Sequence, residues 1–184
     1  SLYDTWEELV SWQLPQTGGP LWRKQAIVDV GCWKEDQPCC QEHELFFRLL
    51  KAGKKFSYGG KSGAFYRQWS DETVCKKDVS LVHRKRLEIV FDAYEWLKNS
   101  HMLSSGRLNA VSQAVFETAR SAWKYDQLRA IELRQWILQN DPDFVPSGPA
   151  APLAFRTVDN WFGYSNAERF ADRLRGFKSL LKAK

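Results

Sequence analysis

No apolar run in this chain approaches the roughly 20 residues that a membrane-crossing helix needs, and no charged-then-apolar leader opens it. Those two absences set the expectation of a cytoplasmic protein. The metal and nucleophile motifs are missing as well. There is no His-Glu-x-x-His, no Cys-x-x-Cys pair and no nucleophile elbow, so the common zinc sites and serine hydrolase chemistry are excluded. Gly59-Gly60-Lys61-Ser62 lacks the earlier glycine of a phosphate-binding loop, because position 55 is Lys55. Cysteine is scarce: Cys32, Cys39, Cys40 and Cys75. Adjacent Cys39 and Cys40 do not suit a simple disulfide framework, so all four are expected to be reduced thiols.

What is present is a chain of 184 residues, 43% hydrophobic and 27% charged, with nine tryptophans. That is the balance of a soluble globular protein, long enough for one medium domain or two small ones. Tryptophans at this density either fill a core or stack on sugars in an open cleft, and composition does not separate the two uses. The net charge of +5 is unevenly placed. Residues 1–75 carry 9 Lys and Arg against 10 Asp and Glu, while residues 76–184 carry 18 against 12. A basic second part is read first as a set of solvated helix faces, and only then as a contact for nucleic acid or an anionic membrane.

The pattern changes near residue 75. Before it, glycine-rich turns punctuate short apolar runs. A short helix is expected over Arg23 to Val30, stopped by Gly31, and a second over Gln41 to Ala52, stopped by Gly53. Lys54 to Tyr58 and Ala64 to Arg67 read as two short strands. After it, helical periodicity dominates. One helix is expected over about 77 to 99, a second capped by Ser104 or Ser105, a third from an Asp126 cap to Gln139, and a last one opened by a capping box, Ser165 to Glu168. Val79, Val82, Leu87, Val90, Tyr94 and Leu97 line the first of these, and Phe170, Leu174, Phe177 and Leu181 the last. A loop with four prolines, Pro142 to Pro152, separates the last two helices.

The chemistry is concentrated between Thr17 and Cys75. Glu42 opens the second helix, where exposed backbone N–H groups and the positive helix end favour a carboxylate. It is either a base or a plain complement to the helix dipole. Glu44 and Arg48 are four apart and can pair along the helix. The order Gly18-Gly19, Arg23 to Gly31, Gln41-Glu42, Arg48-Leu49-Leu50-Lys51-Ala52-Gly53 and Tyr66-Arg67 resembles the acceptor-side half of the GT-A fold in family 2 glycosyltransferases. The resemblance covers roughly residues 10–75.

The resemblance implies an α+β fold, predominantly helical. Residues 1–75 would be a partial GT-A-like half with a few short strands, and residues 76–184 a helical extension forming a small bundle. It implies an inverting transferase in which Glu42 is the general base that takes a proton from an acceptor hydroxyl as that oxygen attacks a nucleotide-diphospho-sugar. Gly18, Gly19, Trp22, Trp33, Gln41, Arg67 and Trp69 would contact substrate. The family more often places Asp, preceded by Glu, where this chain has Gln41-Glu42, and the extra methylene lengthens the reach by about 1.5 Å. Many relatives have a histidine where this chain has Trp69, and an indole cannot ligate a metal. Trp69 then stacks on a sugar or base, or packs its own loop. Arg67 neutralises diphosphate charge or sits at a strand end. Trp22 and Trp33 shape an acceptor pocket or pack the core.

The family's donor half carries an Asp-x-Asp after alternating strands and helices. The only Asp-x-Asp here is Asp141-Pro142-Asp143, which reads as a helix stop. The expectation is therefore an acceptor-side piece that binds no metal and no cofactor by itself, with Mg or Mn, the nucleotide-sugar donor and the missing N-terminal half belonging to the full-length enzyme. An exposed sheet edge would be covered by that half or by dimerisation. No nucleic-acid motif is seen. The alternative is a helical interaction module that docks a partner protein or an anionic membrane, the latter peripheral to the inner face. Arg169, Arg173, Arg175, Lys178, Lys182 and Lys184 surround the apolar stripe of the last helix, although a helix packed on its own bundle with a solvated basic face is the preferred reading.

Overall fold

A computed structural model describes residues 4–59 and 78–182. Among the described residues there are eight helices and no strand. They are α1 (Thr5–Val10), α2 (Lys24–Asp29), α3 (Gln41–Lys51), α4 (Val79–Asn99), α5 (Ser105–Ala122), α6 (Gln127–Asn140), α7 (Leu153–Phe162) and α8 (Tyr164–Lys182). The fold is all-α over this range, which corrects the expected α+β class. The expected strand Lys54 to Tyr58 runs without regular structure. A strand exists only by pairing, and no partner edge is available among the described residues. This run is instead held at its start and middle: Lys54 pairs with Asp29 at 2.6 Å and Phe56 meets the edge of Phe46 at 5.4 Å. The second expected strand, Ala64 to Arg67, and the compositional boundary near 75 lie outside the described residues.

The chain divides into two compact units, Ser1–Val111 and Ser112–Lys184, with the division inside α5. In the first unit α3 packs against α1, α2 and α4. Leu45, Phe46, Phe47, Leu49 and Leu50 of α3 are buried, as are Trp6, Leu9 and Val10 of α1 and Leu87, Val90, Tyr94 and Leu97 of α4. The Trp6 indole lies flat on Trp96 at 4.8 Å and meets the edge of Phe47. Helix ends are sharply defined. After α3, Gly53 takes φ of 70°, its N–H bonds to Leu50, and the N–H of Lys54 bonds to Leu49. These are the paired 5→2 and 6→1 bonds of a Schellman stop. The same pair closes α2 at Gly31 and Cys32, so both glycine stops read from the sequence are present. It also closes α1 at Trp12 and α4 at His101, where non-glycine residues hold φ of 62° and 56°.

In the second unit, α7 and α8 are joined by Gly163 alone. Its φ of 79° and ψ of 165° is a region open in practice only to glycine. Helix α7 was not anticipated from the sequence. Pro152, read as the end of a loop, sits at the N-cap of α7, where a missing N–H costs nothing. The proposed capping box is also corrected. Helix α8 begins at Tyr164, one residue before Ser165, and Glu168 is fully buried rather than reaching back to the helix start. Its carboxylate lies 2.8 Å from Arg120 Nε, with Arg175 at 3.8 Å. The Arg120 guanidinium stands 3.8 Å over the Phe155 ring. A second buried pair, Arg134 with Asp159, lies at 3.3 Å. Burial pushes the Glu168 and Asp159 carboxyls up and the Arg120 guanidinium down, in each case more than the partner's charge offsets.

A buried pair in that balance adds little net stability, yet breaking it strands a charge. Arg120→Met is expected to lower stability by about 3 kcal/mol, read from urea unfolding. Arg120→Met with Glu168→Met should lose clearly less than the single change. A double variant at least as unstable as Arg120→Met would show that the pair is a net source of stability.

Candidate functional site at the start of α3

The first turn of α3 has an unusual entry. Its N-cap is Cys40, in the left-handed region with φ of 60° and no side-chain cap. The first backbone N–H groups are therefore not satisfied by a capping side chain, and Glu42 and Glu44 occupy that positive end. The two carboxylates have opposite fates. Glu44 is buried and saturated: Arg48 donates to it through Nε and Nη2, and Lys34 reaches it at 2.7 Å. Arg48 also donates to the carbonyls of Val30 and Cys32. The expected Glu44–Arg48 pair thus extends into a clamp between α3 and the end of α2.

Glu42 is half-buried on another side of the helix. Its Oε1 accepts a hydrogen bond from the Thr17 hydroxyl. Thr17 lies in the turn that carries Gly18 and Gly19, closed by the Gly19 N–H bonding to Gln16 at 2.8 Å. A Cβ on Gly19 would meet Pro15 Cβ at 2.9 Å, so the tight turn requires glycine there. The Trp22 indole N–H donates to the Thr17 carbonyl at 3.1 Å. The Trp22 ring stacks on Phe46 at 5.2 Å and meets the edge of Trp33 at 5.9 Å.

Of the residues singled out in the sequence, Gly18, Gly19, Trp22, Trp33, Gln41 and Glu42 lie in the elements gathered at this end of α3. Of the two uses left open for Trp22, core packing is seen: its ring stacks on Phe46 while the residue stays half-buried. Arg67 and Trp69 lie outside the described residues. Thr17 was passed over as a site residue, because the contact that gives it a role spans 25 positions and leaves no local spacing to read.

His43, next to Glu42, faces the core instead. Its imidazole stacks on Trp12 at 3.7 Å with only 6° between the planes. The Arg86 guanidinium stands 5.1 Å from the same indole. Burial pulls the His43 pKa down to about 4, with Arg86 adding to the shift and Glu42 opposing it. Among the described residues no group of three or more His, Cys, Asp or Glu could hold a metal ion.

An open depression of about 430 Å³ lies in the second unit, lined by Glu117, Arg120, Ser121, Lys124, Pro149, Ala150 and Arg175. It does not present free cations to an anion as readily as its lining suggests: Arg120 is paired with Glu168, and Arg175 with Asp172 and Glu168. No helix among the described residues is long and apolar enough to cross a membrane. Comparison with family models, curated proteins and solved structures gives no match.

The depressed His43 pKa fixes a pH dependence. The folded state keeps the ring neutral, while the unfolded chain protonates near 6.5. The contribution is complete above about pH 6.5 and is lost as pH falls toward 4, where the loss amounts to about 3 kcal/mol. His43→Phe keeps a flat ring against Trp12 and removes the titration. The stability difference between wild type and His43→Phe should therefore shift by this amount between pH 7 and pH 4. Parallel pH profiles for the two proteins would exclude His43 as the cause.

Proposed function

We propose that this chain is the acceptor-side part of a glycosyltransferase resembling family 2, with Glu42 as the general base. The observation that supports this best is the contrast between the two first-turn carboxylates of α3. Glu44 is locked in an ion-pair clamp, whereas Glu42 holds one hydroxyl, that of Thr17, and stands half-buried beside the Gly18-Gly19 turn and Trp22.

In this reading an acceptor hydroxyl approaches Glu42 on the side left free by Thr17. The carboxylate takes the proton as the acceptor oxygen attacks the anomeric carbon and the nucleoside diphosphate leaves on the opposite face. Thr17 is a positioning residue: its hydroxyl fixes the carboxylate rotamer without consuming both oxygens. Trp33 and the open edge of Trp22 offer apolar ring surface to a sugar. Mg or Mn and the donor diphosphate are assigned to the other half of the enzyme, and no step at Glu42 runs through them.

The test is sugar transfer by the full-length enzyme. Glu42→Gln keeps the size and the hydrogen-bond acceptor but cannot take a proton. It should lower kcat by about 100-fold or more with unchanged thermal unfolding. Thr17→Val should lower kcat less and shift its pH profile. Full activity in Glu42→Gln would remove Glu42 from the mechanism.

A further inference from the structure

Helix α8 turns Phe170 and Leu174 of its apolar stripe to the surface. Successive residues rotate by about 100°, so Phe170 lies roughly 160° around α8 from Glu168. Glu168 is fully buried with Tyr164 and Ala167. Phe170 and Leu174 are 37% and 43% exposed. On α7, Trp161 and Phe162 are 78% and 69% exposed. Between the two helices runs a groove of about 430 Å³ lined by Val158, Phe162, Asn166, Arg169, Phe170 and Arg173. Clustered aromatic exposure of this kind marks a contact surface.

The charge beside the groove says what the contact is. Arg120, Arg134 and Arg175 of this unit each have a carboxylate partner. Arg169 and Arg173 form no ion pair among the described residues. Two uncompensated guanidiniums beside exposed aromatic rings are complementary to a surface that is anionic outside and apolar beneath. A second copy of this chain fits poorly, since a twofold contact through the same face would bring together the arginines of both copies.

We propose that the outer face of α7 and α8 docks on an anionic membrane surface. Phe162 and Phe170 enter the interfacial region, Trp161 lies at headgroup level, and Arg169 and Arg173 meet lipid phosphates. The helices lie in the plane of the interface. This inference stands independently of any role for Glu42.

Flotation of the full chain with two kinds of vesicle tests it. The protein should float with phosphatidylcholine vesicles containing about 30% phosphatidylglycerol, be released by about 0.5 M salt, and stay unbound with phosphatidylcholine alone. Arg169→Glu with Arg173→Glu should weaken binding by about tenfold or more, and so should Phe162→Ser with Phe170→Ser. All four side chains are exposed, so thermal unfolding should not change. The charge-matched control Lys55→Glu with Arg84→Glu should float like wild type. Absence of flotation, equal flotation without phosphatidylglycerol, or equal loss in the control would each overturn the proposal. If Phe162→Ser with Phe170→Ser instead converted a dimer to monomer and no vesicle bound, the face would belong to a second copy.

Discussion

Arg48 ties the start of α3 to the turn after α2. Its guanidinium donates to Glu44 on its own helix and to the carbonyls of Val30 and Cys32 just past the end of α2. These carbonyls belong to the turn that follows α2, so one side chain fixes that turn, and α2 with it, against α3. A planar fork with five donors can do this, and a lysine cannot. Trp22 and Trp33 flank α2 in sequence, and their rings meet each other and Phe46. The tether on α2 thereby sets the wall beside Thr17 and Glu42. With Glu44 neutralising Arg48, the adjacent Glu42 is left as the first-turn carboxylate not engaged in an ion pair among the described residues.

Much of this was legible because it is local. Gly31 and Gly53 stop their helices where the sequence places them, and Asp126 caps α6 through the Arg129 N–H at 2.9 Å. Ser104 caps α5 through the Arg107 N–H at 3.2 Å. The Glu44–Arg48 pair follows from four-residue spacing. Each of these depends on residues within about one turn of each other. What was illegible depends on distant partners. The Thr17–Glu42 bond and the His43–Trp12 stack link segments that have no common periodicity. The strand expected over Lys54 to Tyr58 failed for a related reason. Its alternation is real, but a strand is defined by a neighbour, and no pairing edge occurs among the described residues.

The left-handed stops at Trp12 and His101 are a second kind of illegibility. A glycine there would have been read at once, whereas a tryptophan signals bulk and not a turn. The αL conformation costs an L-residue about 1–2 kcal/mol. At Trp12 that cost coincides with the indole stacking on the His43 ring, with the Arg86 guanidinium 5.1 Å from the indole centre. The stacking fixes the ring, and the ring fixes the backbone. His43 then loses water on the Trp12 side, which is the burial that keeps it neutral.

Helix α8 shows why a correct stripe can be assigned to the wrong side. Phe170 and Leu174 repeat at helical spacing, and the simplest expectation turns such a stripe inward. The inner side is instead set by Glu168, which is placed against Arg120, with Tyr164 beside it and the Phe155 ring under the guanidinium. A buried charge without its partner costs several kcal/mol, whereas an exposed phenylalanine forgoes about 1.5–3 kcal/mol of burial. Rotating α8 to bury Phe170 would carry Glu168 out to water and leave Arg120 buried without its carboxylate, which is the larger penalty. The ion pair therefore dictates the helix rotation, and the rotation presents Phe170 and Leu174 outward. Since Gly163 leaves a single residue between α7 and α8, Phe162 is carried to the same groove as Phe170. The exposed apolar face follows from what the inner face must hold.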